Sequence, residues 1–398
     1  MKGKRFAFVF SRPVAYPPNI HNVKSYYVSR ELISRGERVT WVRLGGKDKA
    51  HFAGGIEFAR IPIDPTNVFF TAFSLLRLAM FCLAKRIRVV YLDEWLFFRH
   101  RPISRLAGVV ALRAAGMKVV MDERDPLVDF ETATGEFDPR THGYHRTIWS
   151  VRMSERLSTL LILTSKAYAQ LYISEGFPAR KVLGVFRGVD HALFNPDVDP
   201  AQVKAKLGLD GKFVVGWFGL MHRFRQINEV LIPIARLLPE TIPNAQILIG
   251  GEGPLQAKFE PLAGDPRSHA TILGLVPYPD LPSYIAACDV LLCPVDSSFR
   301  FTKHSAWLKI AEALAVGKPI IATRTKLAEE DYNDLKGVIW VEPGLKSFMD
   351  AILEVRKHYA NHLSLAQEQS RQFDDYTVRH TIGMIADRVE LLAGKREY

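Results

Sequence analysis

Along this chain, short runs of β-branched and aromatic residues alternate with longer stretches whose apolar positions recur every three or four residues. That alternation is the pattern of parallel strands joined by crossover helices. It occurs in two series. The first predicts strands at Arg5–Phe10, Glu37–Val42, Val89–Leu92, Lys118–Met121, Thr159–Leu163 and Val182–Val185. The second predicts Phe213–Phe218, Ala245–Ile249, Ala270–Leu273, Val290–Cys293, Pro319–Ala322 and Val338–Val341. Between them lies Arg187–Asp210, rich in Asp and interrupted by Pro196 and Pro200, which reads as a connection between domains. After Pro343 the pattern is helical, through Ser347–His358 and a final polar stretch. The fold class expected is α/β, with two Rossmann-like doubly wound domains: 1–190, a linker over 191–210, and 211–375. A terminal helix over 376–398 could pack back on the N-terminal domain. No solenoid repeat and no low-complexity segment interrupts this plan.

Composition supports it. A chain of 398 residues exceeds what one core ordinarily serves, and 48% hydrophobic with 24% charged residues is a globular balance. The formal net charge of +11 favours anionic ligands: phosphate esters, acidic lipids or nucleic acid. Three cysteines are too few and too apolar in context for a disulfide framework or a zinc site, which fits a reducing cytoplasm. The apolar run near the start is short for a signal-peptide core and reads as a first strand. Arg77 and Lys85 interrupt the longest apolar stretch, so no segment is expected to span a membrane.

In doubly wound sheets, ligands bind beyond the carboxyl ends of strands, so the turns there carry the candidate chemistry. Gly250-Gly251-Glu252-Gly253-Pro254 follows one predicted strand and opens a helix. Glycines admit close backbone approach and helix starts favour phosphate, but a plain tight turn gives the same sequence. Gly219 opens a second turn, LMHRFRQ, which brings His222, Arg223 and Arg225 to the mouth of the sheet. A guanidinium there could clamp a diphosphate, or be one more exposed cation in a basic protein. A third segment, SAWLKIAEALAVGKPIIAT from Ser305 to Thr323, places Lys309 and Glu312 three apart on one helix face. Glu312 could accept hydroxyl hydrogen bonds from a sugar, or simply pair with Lys309.

The order of three segments carries a resemblance: GGEGP, then ILGLVPYPDLPSYIAACDVLLCP, then SAWLKIAEALAVGKPIIAT. It is similar to the donor half of the group 1 glycosyltransferases, family 4, which have the GT-B fold, two Rossmann-like domains facing a cleft. ELISRGERVTWV in the first half and GVFRGVDHALFNP before the linker resemble that family's corresponding passages, so the likeness covers nearly the whole chain. It implies a retaining, metal-independent enzyme moving a sugar from a nucleotide-diphosphate donor, with no other cofactor, to a glycan or lipid-linked acceptor. It aligns Arg225 with the family's phosphate-binding lysine and makes Lys309 the second candidate. An alternative register gives that role to Arg223 or His222. Glu312 matches the ribose-binding glutamate. Gly219, Arg223, Gly251, Gly253, Val276, Ser305 and Leu308 complete the implied nucleotide site. His304 stands where many members have a first glutamate, with Asp296, Ser297 and Lys303 upstream as candidate sugar contacts. Arg124-Asp125 replaces the family's frequent His-Asp as the implied N-terminal catalytic pair, and an ordinary Arg–Asp ion pair is the alternative.

Asn67–Arg86 combines an apolar helix with Lys85, Arg86 and Arg88, and RHRPISR adds Arg99, His100, Arg101 and Arg105 nearby. Two readings stand: a buried crossover helix with a solvated basic end, and an interfacial helix on an anionic membrane surface. HGYHRTIWSVR places aromatics among cations, but no nucleic-acid-binding motif accompanies it. Asp197-Val-Asp199 mimics a metal-binding Asp-x-Asp in a predicted linker and reads as a solvated turn. A GT-B epimerase, or a sugar-nucleotide binding protein without transferase activity, is the alternative that keeps the fold.

Overall fold

The computed structural model describes residues 3–10, 23–45, 55–62, 68–93, 102–123, 127–135, 140, 142–186, 188–304, 307–325, 331–332, 334–373 and 377–394. The chain divides into two compact units, Met1–Arg187 with Arg379–Tyr398, and Gly188–Val378.

The first unit runs β1 (Arg5–Phe10), α1 (Val23–Ser34), β2 (Arg38–Leu44), β3 (Glu57–Ile61), α2 (Val68–Ala84), β4 (Val89–Leu92) and α3 (Pro102–Ala114). It continues through β5 (Lys118–Glu123), α4 (Leu127–Thr134), α5 (His142–Leu157), β6 (Leu160–Leu163), α6 (Lys166–Ser174) and β7 (Val182–Gly184). The strands form one sheet in the order β3-β2-β1-β4-β5-β6-β7, and every pairing in it is parallel. Parallel strands covered on both faces need near-continuous apolar sequence, and β1, β4 and β6 have it. β3 is absent from the expected strands. EFARI carries two charges, Glu57 and Arg60, at a sheet edge, where half-exposure removes the apolar run that marks its neighbours.

The second unit runs α7 (Ala201–Leu207), β8 (Phe213–Phe218), a π turn at Ile227–Leu231, α8 (Ile232–Thr241), β9 (Ala245–Gly250), α9 (Glu260–Ala263), β10 (Ala270–Gly274) and α10 (Leu281–Ala286). It continues through β11 (Val290–Cys293), α11 (Arg300–His304), α12 (Leu308–Ala315), β12 (Ile320–Thr323), β13 (Val338–Val341), α13 (Leu345–Lys357) and α14 (Tyr359–Arg371). Its sheet is also parallel, ordered β10-β9-β8-β11-β12-β13. β8 and β9 are buried at every position. The expected linker contains α7, which closes with Gly208 at φ 60, a left-handed position that glycine accepts without strain. Asp199 lies just before it and accepts a hydrogen bond from the Ala201 amide at 2.9 Å, so the Asp-x-Asp pattern includes a helix-start contact.

Helix α15 (Val378–Gly394) returns the chain to the first unit. Arg35 at the end of α1 bridges Asp387 at 2.5 Å and Glu390 at 3.3 Å, while the Thr381 hydroxyl donates to the Phe186 carbonyl. Both units are doubly wound: strand order reverses between β1 and β4 in one sheet and between β8 and β11 in the other. Such reversal points open a crevice at the carboxyl ends of the strands.

Candidate functional site

The crevice of the second unit opens where β8 and β11 end. Three strand-end turns are laced together there. The Gly219 amide donates to the Gly250 carbonyl at 2.8 Å, Met221 to Glu252 at 2.7 Å, and Gly251 to Gly274 at 2.6 Å. This explains the glycines of GGEGP. A Cβ on Gly251 would stand 1.8 Å from the Gly219 oxygen, and one on Gly253 would stand 2.6 Å from the Met221 oxygen. Their φ angles, 141° and 148°, are also closed to ordinary side chains. The glycines therefore let the turn after β9 pack against the turn after β8. That packing holds the Gly219 turn, and the Gly251 amide, offered by the sequence as a phosphate contact, is engaged by Gly274. Val276 closes the same corner, its Cγ2 lying 3.1 Å from where a Cβ on Gly250 would be.

Lys309 crosses this turn. A Cβ on Gly219 would lie 2.8 Å from Lys309 Cε and 3.5 Å from Nζ, so the ammonium lies over the backbone at the mouth of β8. Lys309 and the half-buried Leu308 begin α12, whose first turn carries the positive end of the helix dipole. Trp307 precedes them without a side-chain cap. One turn further on, Glu312 is buried, at 4% exposure. Arg225 comes from the other side. His222 opens a tight turn by accepting the Arg223 amide on Nδ1 at 3.2 Å, and Gln226 ends it at φ 48° before the π turn. The turn buries Arg225 and sets its guanidinium 4.1 Å from the centre of the Trp307 ring and 5.1 Å from that of Phe224. Phe224, Phe301 and Trp307 pack together beneath it, and the Tyr332 hydroxyl holds the Trp307 carbonyl at 3.1 Å. A planar guanidinium can stack on such a shelf where an ammonium cannot.

Cys293, at the end of β11, shows that these charges converge. Burial pushes its thiol up; Arg225 and Lys309 pull it back down, and Glu312 pushes it up again. All three groups thus lie within electrostatic reach of one buried sulfur. The structure joins Gly219, Arg225, Leu308, Lys309 and Glu312 into one site, with Gly251, Gly253 and Val276 as its scaffold. Arg223 turns away: it is exposed, and its guanidinium lies 5.0 Å from the centre of the Phe299 ring. His222 is stacked on Phe224, and its pKa is lowered by burial and then by Arg223 and Arg225, which disfavours a charged imidazole there. Of the upstream candidates, Asp296 receives the Thr302 hydroxyl on its carbonyl, and His304 Nδ1 lies 2.9 Å from the Arg300 carbonyl. Ser305 falls outside the described residues. The Trp307 shelf went unread in the sequence, because nothing in the spacing of Arg225 and Trp307 announces that they meet.

In the first unit, Arg124 and Asp125 also lie outside the described residues. The carboxylates just before them, at the end of β5, are buried and paired. Lys24 of α1 donates to Asp122 at 2.6 Å and the Tyr91 hydroxyl to its other oxygen at 2.6 Å, while Arg105 of α3 pairs with Glu123. Arg105, expected in an exposed basic patch, is therefore a buried partner of a carboxylate. Ser25 holds Asp93, at the end of β4, at 2.7 Å. These groups went unnoticed in the sequence, since charged residues inside strand ends look like solvated loop. Among the described residues no three His, Cys, Asp or Glu side chains gather so as to hold a metal ion.

Comparison with known proteins bears on this site. Residues 212–358 match the family model described as Glycosyl transferases group 1, a span that contains every described member of the cluster. A GDP-mannose-dependent monoacylated alpha-(1-6)-phosphatidylinositol monomannoside mannosyltransferase of Corynebacterium glutamicum is 24% identical over 372 residues, covering 85% of this chain and 86% of the relative. Among solved structures, Anabaena Alr3699/HepE in complex with UDP superposes with a TM-score of 0.70 at 17% identity, over 98% of this chain and 100% of that one. Sucrose-phosphate synthase from Thermosynechococcus elongatus gives 0.74 at 15% identity, again over 98% and 100%. The superpositions establish the GT-B fold, and residues 212–358 are similar to the group 1 glycosyltransferases.

Proposed function

We propose that this chain is a retaining, metal-independent glycosyltransferase of family 4. It transfers a sugar from a nucleotide-diphosphate sugar to a glycan or lipid-linked acceptor at the cytoplasmic face of a membrane, in cell-surface polysaccharide or glycolipid synthesis. The observation that carries this reading is the convergence of Arg225, Lys309 and the buried Glu312 at the reversal point of the second sheet. As the bond to the sugar breaks, negative charge grows on the departing diphosphate. Cations held in advance stabilise that charge more in the transition state than in the ground state. Arg225 is held by stacking and Lys309 by the start of α12, so neither must be ordered at the moment of reaction. Glu312 supplies a carboxylate that can accept two hydroxyls of a ribose. Similar proteins support the donor class, since one is GDP-mannose-dependent and another is held with UDP and with UDP-glucose. The phosphatidylinositol mannoside of the first supports a lipid-linked acceptor.

A thermal-shift screen of the full chain across UDP-, GDP- and ADP-sugars tests this. At a ligand concentration near a hundred times Kd, binding stabilises by about 2.7 kcal/mol, or roughly 5–10 °C for a unit of this size. One nucleotide should produce that shift, Glu312→Gln should abolish it, and a flat screen would count against the assignment. With the donor known, the anomeric configuration of the product decides retention, and transfer in the presence of a chelator decides the metal question. A sugar altered at one centre without any acceptor would point instead to an epimerase.

A further inference from the structure

Helix α2 leaves an apolar stripe uncovered. Leu75, Leu78, Ala79 and Cys82 face the core, whereas Leu76, Met80 and Leu83 are 54%, 57% and 56% exposed. Spaced four and three apart, these three form one line along the helix. Val110 on α3, the neighbouring helix, is 46% exposed. The surroundings are cationic. Arg77, Lys85, Arg86 and Arg88 are all exposed, and no acidic residue occurs between Asp64 and Asp93. Among the described residues, the solvated Glu57 lies 3.8 Å from Lys85.

The end of α2 adds an independent sign. Helices α1, α3 and α6 each close with a glycine at positive φ: Gly36, Gly116 and Gly176. At the same place after α2 stands Arg86, at φ 54. A non-glycine residue there is disfavoured, so the sequence keeps a cation where glycine would suit the backbone better. The Arg5 guanidinium holds the Lys85 carbonyl at 2.8 Å, fixing this end of the helix among basic side chains.

We infer that the Leu76–Met80–Leu83 stripe and the Lys85–Arg86–Arg88 cluster dock the first unit on an anionic bilayer surface. The apolar side chains would enter the headgroup boundary and the cations would meet lipid phosphates. No described helix is long and apolar enough to cross a membrane, so this contact lies on the surface. A two-fold contact with a second copy would press the cation cluster towards itself, which the charge disfavours. The inference stands apart from the donor site, because vesicle binding is read without donor or acceptor.

The test is co-sedimentation of the full chain with phosphatidylcholine vesicles, with and without phosphatidylglycerol, at low and physiological salt. Binding should require phosphatidylglycerol and weaken with salt. Leu76→Ser/Met80→Ser/Leu83→Ser should lose about ten-fold or more, from the apolar area withdrawn. Arg86→Asn with Arg88→Gln should lose about five-fold per cation removed, with asparagine tolerating the positive φ. All variants should keep the wild-type melting midpoint within a few degrees, since the altered side chains are exposed. Failure of the wild type to bind the anionic vesicles would overturn the inference, leaving an acidic protein as the reading of this face. Unchanged binding by the triple variant would also overturn it, as would a wild-type dimer that this variant breaks.

Discussion

Gly251→Ala separates two roles for the glycine-rich turn after β9. The added methyl would sit 1.8 Å from the Gly219 oxygen, 2.9 Å from its carbonyl carbon and 3.2 Å from its nitrogen, all backbone atoms that cannot swing aside as a side chain can. Its φ of 141° adds a conformational cost. Overpacking costs about 1–3 kcal/mol and a backbone restricted to glycine about 1–3 more, so a loss of roughly 2–6 kcal/mol is expected. For a unit of this size that lowers the melting midpoint by about 4–24 °C. Gly264→Ala is the control, because a Cβ there meets nothing within 4 Å and the backbone is right-handed at φ −92. It should stay within about 0.5 kcal/mol of wild type. The assay is thermal melting of both variants together with donor affinity. Relief of the clash must push the Gly219 turn, over which Lys309 lies, so Gly251→Ala should weaken donor binding as well as stability. An unchanged midpoint with a weakened donor would refute the scaffold argument and make Gly251 a ligand contact.

Two further outcomes follow from named contacts. Arg225→Ala should slow sugar transfer by about 100- to 1000-fold while weakening ground-state donor binding much less, as expected of a group that stabilises developing charge; an unaltered turnover number would remove Arg225 from the chemistry. In the first unit, burial raises the Glu155 carboxyl from 4.5 to about 7, with Arg152 opposing and Glu123 adding to the shift. The folded state therefore holds this proton more tightly than the unfolded one. Its stabilising effect is complete below about pH 4.5 and is lost as pH rises through about 7. Melting of wild type against Glu155→Gln between pH 5 and 8 should show a difference that shifts by a few degrees in that direction, and a constant difference would contradict the linkage.

How far the sequence could be read depended on how local each feature was. Strands of the two parallel sheets were legible because burial on both faces demands uninterrupted apolar runs, and β1, β4, β8, β11 and β13 begin and end as their residues suggest. β3, with its charged positions, was not, and neither was α7 inside an Asp-rich passage that looked like pure linker. In the second unit, the candidates Gly219, Arg225, Lys309 and Glu312 were legible as motifs in order. Their meaning was not. The glycines of GGEGP, open in the sequence to reading as a phosphate cradle or as a tight turn, seat one turn against another.

The sequence by itself determined the periodicities, and through them two α/β units, the position of the strand-end turns and the excess of positive charge. Those are properties of neighbours along the chain, and a period of two or of three to four residues is enough to express them. Tertiary structure decided which side chains meet. It brought Trp307 under Arg225 from eighty residues away, paired Arg105 with Glu123 rather than with solvent, and showed that α2 buries only one of its apolar faces. Each of these depends on how elements pack against one another in space, which no local pattern along the chain expresses.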